Sequence, residues 1–307
     1  MRIVSVSMIA FKSIVVFFAG CLLLAISCVK SGELPQGKAG FAPKVIYSDL
    51  DGTMLNEQSE IPPRNLAAVR RFQAQGGLFG IATGRLPDRA WTFAQALSVD
   101  LPAIFGNGAV ILNADGSLLR MKAFHDVDKV KAFCERINEA GCSYIYTSIG
   151  HAESGQVRML DGSCQAPSEA GWGVLKLRAR NCKAHDALLA QVRELNGSSG
   201  CSILESGTGK YRGVSISAPG VSKAEALEHI AKLRKLRTED MVFFGDSGND
   251  VDALRWINEG GGRCYAMPNG TPGVLDVCPR RAPASNDQAG VGQAIEAMLA
   301  HKKERGS

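Results

Sequence analysis

The sequence has no long run of lysine or arginine, and only 7% of its residues are aromatic. Of its formal charge of +5, +3 sits in residues 1 to 41, where Arg2, Lys12, Lys30 and Lys38 face Glu33, leaving +2 for the rest. So small an excess offers no footprint for a polyanion, and nucleic-acid binding is not expected. There is no internal repeat, and no CxxC pair among the nine cysteines. An odd count without metal-ligand spacing supports neither a metal site nor a disulfide framework. The seven cysteines from Cys134 onward, scattered among apolar neighbours, read as reduced thiols buried as small hydrophobes. His125, His151, His185, His229 and His301 show no ligand spacing and receive no role. Gly207 to Lys210 is not a phosphate-binding P-loop, because its earlier glycine would fall at Leu204. Lys210, Tyr211 and Arg212 read equally as substrate-facing residues or as surface linker.

What is present is the composition of an ordinary α/β protein: 307 residues, 45% hydrophobic, 21% charged and 34 glycines. That length allows one large or two modest domains with a core that needs no staples.

Ser13 to Val29 is a 17-residue stretch without charge, flanked by Lys12 and Lys30. With Arg2 and Lys12 as a basic start, it reads first as the apolar region of an export signal. Cys21 and Cys28 follow small residues in a loose likeness of bacterial lipoprotein signals; an uncleaved anchor and an early-assigned start are the other readings. Residues 1–30 are thus expected to act as a signal or anchor-like leader and residues 31–42 as a linker. The protein would be exported or membrane-attached if the leader is real, and cytoplasmic otherwise.

From Lys44 onward, short apolar runs alternate with helical patterns, the order of βαβ units on a parallel sheet. Val45 to Tyr47, Leu78 to Ala82, Ala103 to Phe105 and Met241 to Phe244 read as strands, and Asn107-Gly108 as a tight turn. Helices are expected from Pro62-Pro63, from Pro87 to Leu97, from Val127 to Ala140 and after Ser222, which forms a capping box with Glu225. Residues 122–212 mix one helix with short Tyr/Ile/Val runs and glycine-rich turns. They are expected to form a separate α+β cap inserted between two halves of a core, 43–121 and 213–301.

Asp49-Leu50-Asp51-Gly52-Thr53 follows the first strand directly, where open parallel sheets place their ligand crevice. Two carboxylates there can converge on a hard cation, and one can attack while the other handles a proton. An EF-hand reading fails, because Met54 occupies the position that needs glycine and a strand precedes Asp49. Thr83-Gly84-Arg85 ends the second strand, either as a phosphate-holding turn or as a simple helix-start turn. Lys223 opens a helix whose N-terminus favours an anion, or is an ordinary surface lysine. Gly245 to Asp250 (GDSGND) brings further acids to the end of another strand.

These four clusters in this order resemble the haloacid dehalogenase superfamily of phosphatases, on DLDGT at 49–53, ATGR at 82–85, SK at 222–223 and GDSGND at 245–250. The likeness spans residues 43–298. It is nearest the Cof-type branch (subclass IIB), similar to sugar-phosphate and mannosyl-3-phosphoglycerate phosphatases. It implies a Rossmann-like α/β core with an inserted α+β cap of the C2 type, and a Mg2+-dependent phosphatase acting on a small phosphorylated metabolite. Asp49 would be the nucleophile and Asp51 the acid and base. Thr83, Gly84, Arg85, Asn107 and Lys223 would serve the phosphate. Asp49, the Asp51 main-chain carbonyl and Asp246 would hold the metal, with Asn249 and Asp250 orienting ligands from behind. A phosphomutase of the same fold, or a membrane-tethered binding protein without turnover, are the alternative functions.

Overall fold

The computed structural model of the protein describes residues 43–303, apart from Ala152, Gly162, Ser163, Gln165, Ser198, Ser199 and residues 207–211. The expected leader and linker, and Lys210 and Tyr211, lie outside the described residues. Among those described, no helix is long and apolar enough to cross a membrane.

The chain opens with β1 (Val45–Ser48), then α1 (Pro63–Ala74), β2 (Leu78–Ile81), α2 (Pro87–Ala96), β3 (Ala103–Phe105), β4 (Val110–Leu112) and β5 (Leu118–Met121). After an inserted segment it resumes with α5 (Lys223–Arg234), β11 (Met241–Gly245), α6 (Val251–Glu259), β12 (Arg263–Ala266), α7 (Pro272–Val277) and α8 (Gly290–Lys303). The insert holds α3 (Val127–Glu139), β6 (Cys142–His151), β7 (Gln156–Asp161), β8 (Trp172–Cys182), α4 (His185–Asn196), β9 (Cys201–Ser206) and β10 (Gly213–Pro219).

All four strands of the sheet β12-β11-β1-β2 run parallel. Both faces are covered, so the strands are apolar throughout and not alternating. Ile46, Val242 and Phe244 pack with Val69, Phe72 and Ile295 on one side. Val45, Tyr47, Met241 and Phe243 pack with Leu227, Ile230, Leu254 and Ile257 on the other. A parallel bridge between Ala82 and Ile104 adds the antiparallel β3-β4-β5 sheet at the β2 edge. The sheet thus reverses its winding between β1 and β11, and a crevice opens beyond the carboxyl ends of these two strands.

The cap is an antiparallel sheet of order β7-β6-β8-β10-β9. Leu177, Ala179, Val214 and Ile216 pack with Phe133 and Ile137 of α3 and Leu188 and Val192 of α4. The boundary expected after residue 212 is corrected by this topology, since Gly213–Pro219 is a full strand of the cap sheet. Its alternation of Val214, Ile216 and Ala218 with Ser215 and Ser217 suits any half-covered sheet, so only its pairing with β8 and β9 assigns it.

The reading of the cysteines as reduced is also overturned. Disulfides join Cys134 to Cys164, Cys142 to Cys182 and Cys264 to Cys278, and Cys201 is buried outside these three pairs. The pairs are 30, 40 and 14 residues apart in sequence, so spacing carried no signal. Cys142 and Cys182 meet because they are register partners of β6 and β8.

Candidate active site

Asp49 and Asp246 are 197 positions apart, yet each immediately follows a strand of one neighbouring parallel pair. Ser48 is the register partner of Phe244, and the Asp49 N–H donates to the Phe244 carbonyl at 3.0 Å. The pairing of β1 with β11 therefore brings both carboxylates to one point. Asp49, Asp246 and Asp250 each offer an oxygen within 4.8 Å of the others.

Lys223, fully buried at the first turn of α5, reaches into this cluster. Its Nζ lies 2.8 Å from Asp49 Oδ1 and 2.7 Å from Asp250 Oδ1. Ser222 caps the helix by accepting from the Glu225 N–H at 3.1 Å. The Glu225 carboxylate itself pairs with Arg120 and Lys122. Lys223 is thus no surface lysine. Burial opposes its charge, but Asp250 and then Asp49 outweigh that and hold its pKa above the usual lysine range.

The carboxylates respond in the opposite sense. Burial, more than the attraction of Lys223 offsets, pushes the Asp49 pKa well above the carboxylate range, with Asp250 and Asp246 adding to the rise. Burial and Asp250 push Asp246 up to about 7. One ammonium among three crowded acids leaves a deficit of positive charge, which a divalent cation would fill.

The donor set fits a hard cation. Asp250 spends its oxygens on Lys223 and on the N–H groups of Asp246 and Ser247, both at 3.1 Å. Asp246 uses Oδ1 to accept from Thr53 Oγ1 at 2.9 Å. Asp49 Oδ1 touches the Lys223 ammonium but has no well-directed hydrogen bond although buried. Asp49 and Asp246 consequently keep lone pairs for a hard divalent cation, which takes oxygen ligands, while Asp250 braces the loop. The Asp51 side chain lies outside this carboxylate cluster.

Gly52 makes this approach feasible. Its φ is +72°, and a Cβ there would meet Asp246 Cγ at 2.7 Å. Gly52→Ala is expected to lower kcat/KM about 10²-fold by displacing that carboxylate, as a misplacement of about 1 Å does. Steady-state kinetics with unchanged far-ultraviolet circular dichroism would check this; activity within threefold of wild type would contradict it.

The second strand's turn is partly as expected. Thr83 is buried, and its Oγ1 accepts from the Arg85 N–H at 3.1 Å, which leaves its own proton free to donate. The cap position of α2 is Leu86, so Thr83 is not a helix cap. Arg85 does not stand free for a phosphate: its guanidinium grips both oxygens of Asp51, one at 2.9 Å, and lies over Phe93. Asn107, in the left-handed region at φ 59°, accepts through Oδ1 from Asn249 Nδ2 at 2.9 Å. That contact joins the loops after β3 and β11 beside Gly84, whose Cβ would fall 3.2 Å from Asn107 Oδ1.

A cavity of about 710 Å³ lies between this loop layer and the cap. Asp49, Asp51, Gly84, Arg85, Asn107 and Asn249 line its floor; Tyr144, Tyr146, Lys176, Arg178 and Arg180 line its roof. Lys176 spans the two layers, donating from Nζ to the Gly84 carbonyl at 3.1 Å. Burial, Arg178 and Lys223 push its pKa down to about 7. The roof residues were missed in the sequence, although Lys176-Leu-Arg178-Ala-Arg180 alternates charge and apolar side chains as a one-face strand does. Thr53 was missed as the partner of Asp246. Arg212 faces Glu205 and Asp186 within the cap, with Nε to Glu205 Oε1 at 3.0 Å.

Comparison with known proteins agrees with this fold. The family model for haloacid dehalogenase-like hydrolases matches residues 46–155 and 182–295. A 5-amino-6-(5-phospho-D-ribitylamino)uracil phosphatase of Escherichia coli (strain K12) is 24% identical over 276 residues, 84% of this chain and 97% of that protein. Among solved structures, a haloacid dehalogenase-like hydrolase from Bacteroides thetaiotaomicron superposes with a TM-score of 0.65 at 20% identity, covering 83% of this chain and 99% of that one. A sugar phosphatase described as subclass IIB of the superfamily gives 0.64 at 18% identity, covering 83% and 99%. The chain belongs to the haloacid dehalogenase-like hydrolase family, as a capped enzyme of its phosphatase type.

Proposed function

We propose that the protein is a Mg2+-dependent phosphatase that hydrolyses a small phosphorylated metabolite, of the sugar phosphate or phosphoglycerate type, through an aspartyl phosphate on Asp49. The observation that carries this reading is the meeting of the Asp49, Asp246 and Asp250 carboxylates within 4.8 Å, with the Lys223 ammonium on Asp49 and Asp250. Asp49 brings that cluster to the lining of a roofed cavity of metabolite size.

An Asp49 oxygen attacks phosphorus in line with the ester oxygen, forming the acyl phosphate as the P–O ester bond breaks. Asp51, on the cavity floor, once released from Arg85 and protonated, gives its proton to the departing alkoxide and then takes one from the water that cleaves the acyl phosphate, which restores both groups. Its pair with Arg85 sets where that carboxylate waits. Lys223 and the Thr83 hydroxyl would meet the phosphoryl oxygens as their charge redistributes, with Gly84, Arg85 and Asn107 shaping the rim. Asp49, Asp246 and the Asp51 carbonyl would hold Mg2+, which when bound neutralises charge on the carboxylates and on the phosphoryl group. The cap keeps bulk water from the acyl phosphate until transfer is complete.

Hydrolysis of p-nitrophenyl phosphate by the full chain tests this. Removing divalent ions with EDTA is expected to lower the rate on the order of 10³-fold, and Mg2+ to restore it. A rate indifferent to chelation would overturn the metal-dependent mechanism. No phosphate release under either condition would favour a binding protein.

A further inference from the structure

The cap roof carries a charge pattern that phosphoryl transfer itself does not require. Lys176, Arg178 and Arg180 alternate along β8 with Leu177 and Ala179, which are buried against the cap helices, so the three cations share the opposite face and line the cavity. Their cross-strand neighbours carry no opposing charge. Ser148 and Ser217 flank Lys176, Tyr146 and Ser215 flank Arg178, and Tyr144 and Gly213 flank Arg180. Glu205, the cap carboxylate lining the same cavity, is already held by Arg212 and His185. Among the described residues no carboxylate pairs with Lys176 or Arg180.

Like charges on adjacent same-face positions repel, and burying one without a counter-charge is costly. Lys176 is only 2% exposed, with the neutral Gly84 carbonyl as its partner. A solvated cationic surface would leave such an ammonium in water. We infer that this row is a subsite for a second anionic group on the substrate, so that the preferred substrate is a phosphate monoester bearing a further phosphate or carboxylate. The inference deepens the phosphatase reading and rests on it for the position of the reacting phosphate.

The spacing sets a length. Lys176 marks the inner end at Gly84, and each two-residue step along a strand advances about 7 Å, which puts Arg178 about 7 Å and Arg180 about 13 Å outward. A chain of five or six carbons bridges this span better than one of three. Tyr144 and Tyr146 form one wall of the row and would pack against the connecting carbons, while Ser215 lines the other. The depressed Lys176 pKa agrees, since an incoming anion would favour the charged ammonium.

Binding to the full-length Asp49→Asn protein in Mg2+, which cannot turn substrate over, reads the subsite without activity. Calorimetric titration would compare fructose 1,6-bisphosphate with fructose 6-phosphate, and 3-phosphoglycerate with glycerol 3-phosphate. The first pair reports a second phosphate and the second a carboxylate at shorter reach. The extra anion is expected to tighten Kd at least about 10-fold in the bisphosphate pair, with a smaller gain in the glycerate pair. Adding Arg178→Gln and Arg180→Gln together should shrink the gain to under threefold, and Arg180→Lys should retain most of it. Equal affinities within both pairs, a gain that survives the double change, or no measurable binding of any of the four would overturn the subsite. Failure of wild-type protein to hydrolyse p-nitrophenyl phosphate while the bisphosphate gain persists would instead sink the phosphatase reading alone.

Discussion

Replacing Asp49 by Asn is expected to lower kcat for p-nitrophenyl phosphate by at least about 10⁴-fold, while leaving the metal-free protein as stable as wild type or more so. The amide cannot attack phosphorus, and residual binding groups do not substitute for a nucleophile. The stability half follows from the charge count. Asp49, Asp246 and Asp250 crowd around one ammonium, and burial with mutual repulsion already pushes Asp49 and Asp246 toward protonation. Removing one negative charge relieves that repulsion and keeps a polar group beside Lys223, the trade often found where a site is built for function at the expense of stability. Activity above about 1% of wild type would mean that another group attacks. A clear fall in melting temperature in EDTA would mean that the Asp49–Lys223 pair outweighs the repulsion.

The opposite result is expected for Lys223→Met. Methionine matches the length of the stem but leaves Asp49 and Asp250 with no cation in a site that the lysine occupies at 0% exposure. Breaking a buried pair from one side costs about 3–5 kcal/mol because the orphaned charges remain. Urea unfolding in EDTA should show that loss, and Mg2+ should recover part of it by supplying positive charge at the same carboxylates. Turnover should fall at least about 10²-fold even where the variant is folded, since the charge proposed to meet the phosphoryl oxygens is gone. A destabilisation under about 1 kcal/mol would show that the pair contributes little. Unchanged turnover would remove Lys223 from the chemistry.

The contrast between these substitutions turns on what burial does to each partner, and that was not legible in the sequence. Lys223 at the start of a helix read equally as an anion contact or a surface residue, and only the packing of α5 against the β11 loop encloses it. Asp250 likewise read as one more acid in GDSGND; its two N–H contacts and its bond to Lys223 make it the brace of the loop. Arg85 was expected at the phosphate and instead engages Asp51, because the turn after β2 and the turn after β1 face each other across one strand pairing.

The strands that carry the site were legible because β1 and β11 are short unbroken apolar runs followed by polar residues, the local signature of a parallel strand covered on both faces. The inserted module was visible as a change of pattern, but its end was misplaced by seven residues, since β10 looks locally like any half-covered strand. The three disulfides and the cationic roof were hidden for a related reason: each depends on register between strands 30 or more residues apart, or on a helix and loops closing around them.

By itself, then, the order of residues specified the chemical groups and the local segments that present them: two aspartates after one strand, GDSGND after another, a threonine turn and a lysine at a helix start. Local periodicity and side-chain chemistry suffice for that. Which strands lie side by side, which charges lose water, and which cap residues face the crevice were decided by tertiary structure alone. Pairing and burial depend on the free energy summed over the whole packed chain, and no short stretch of it records its distant partner.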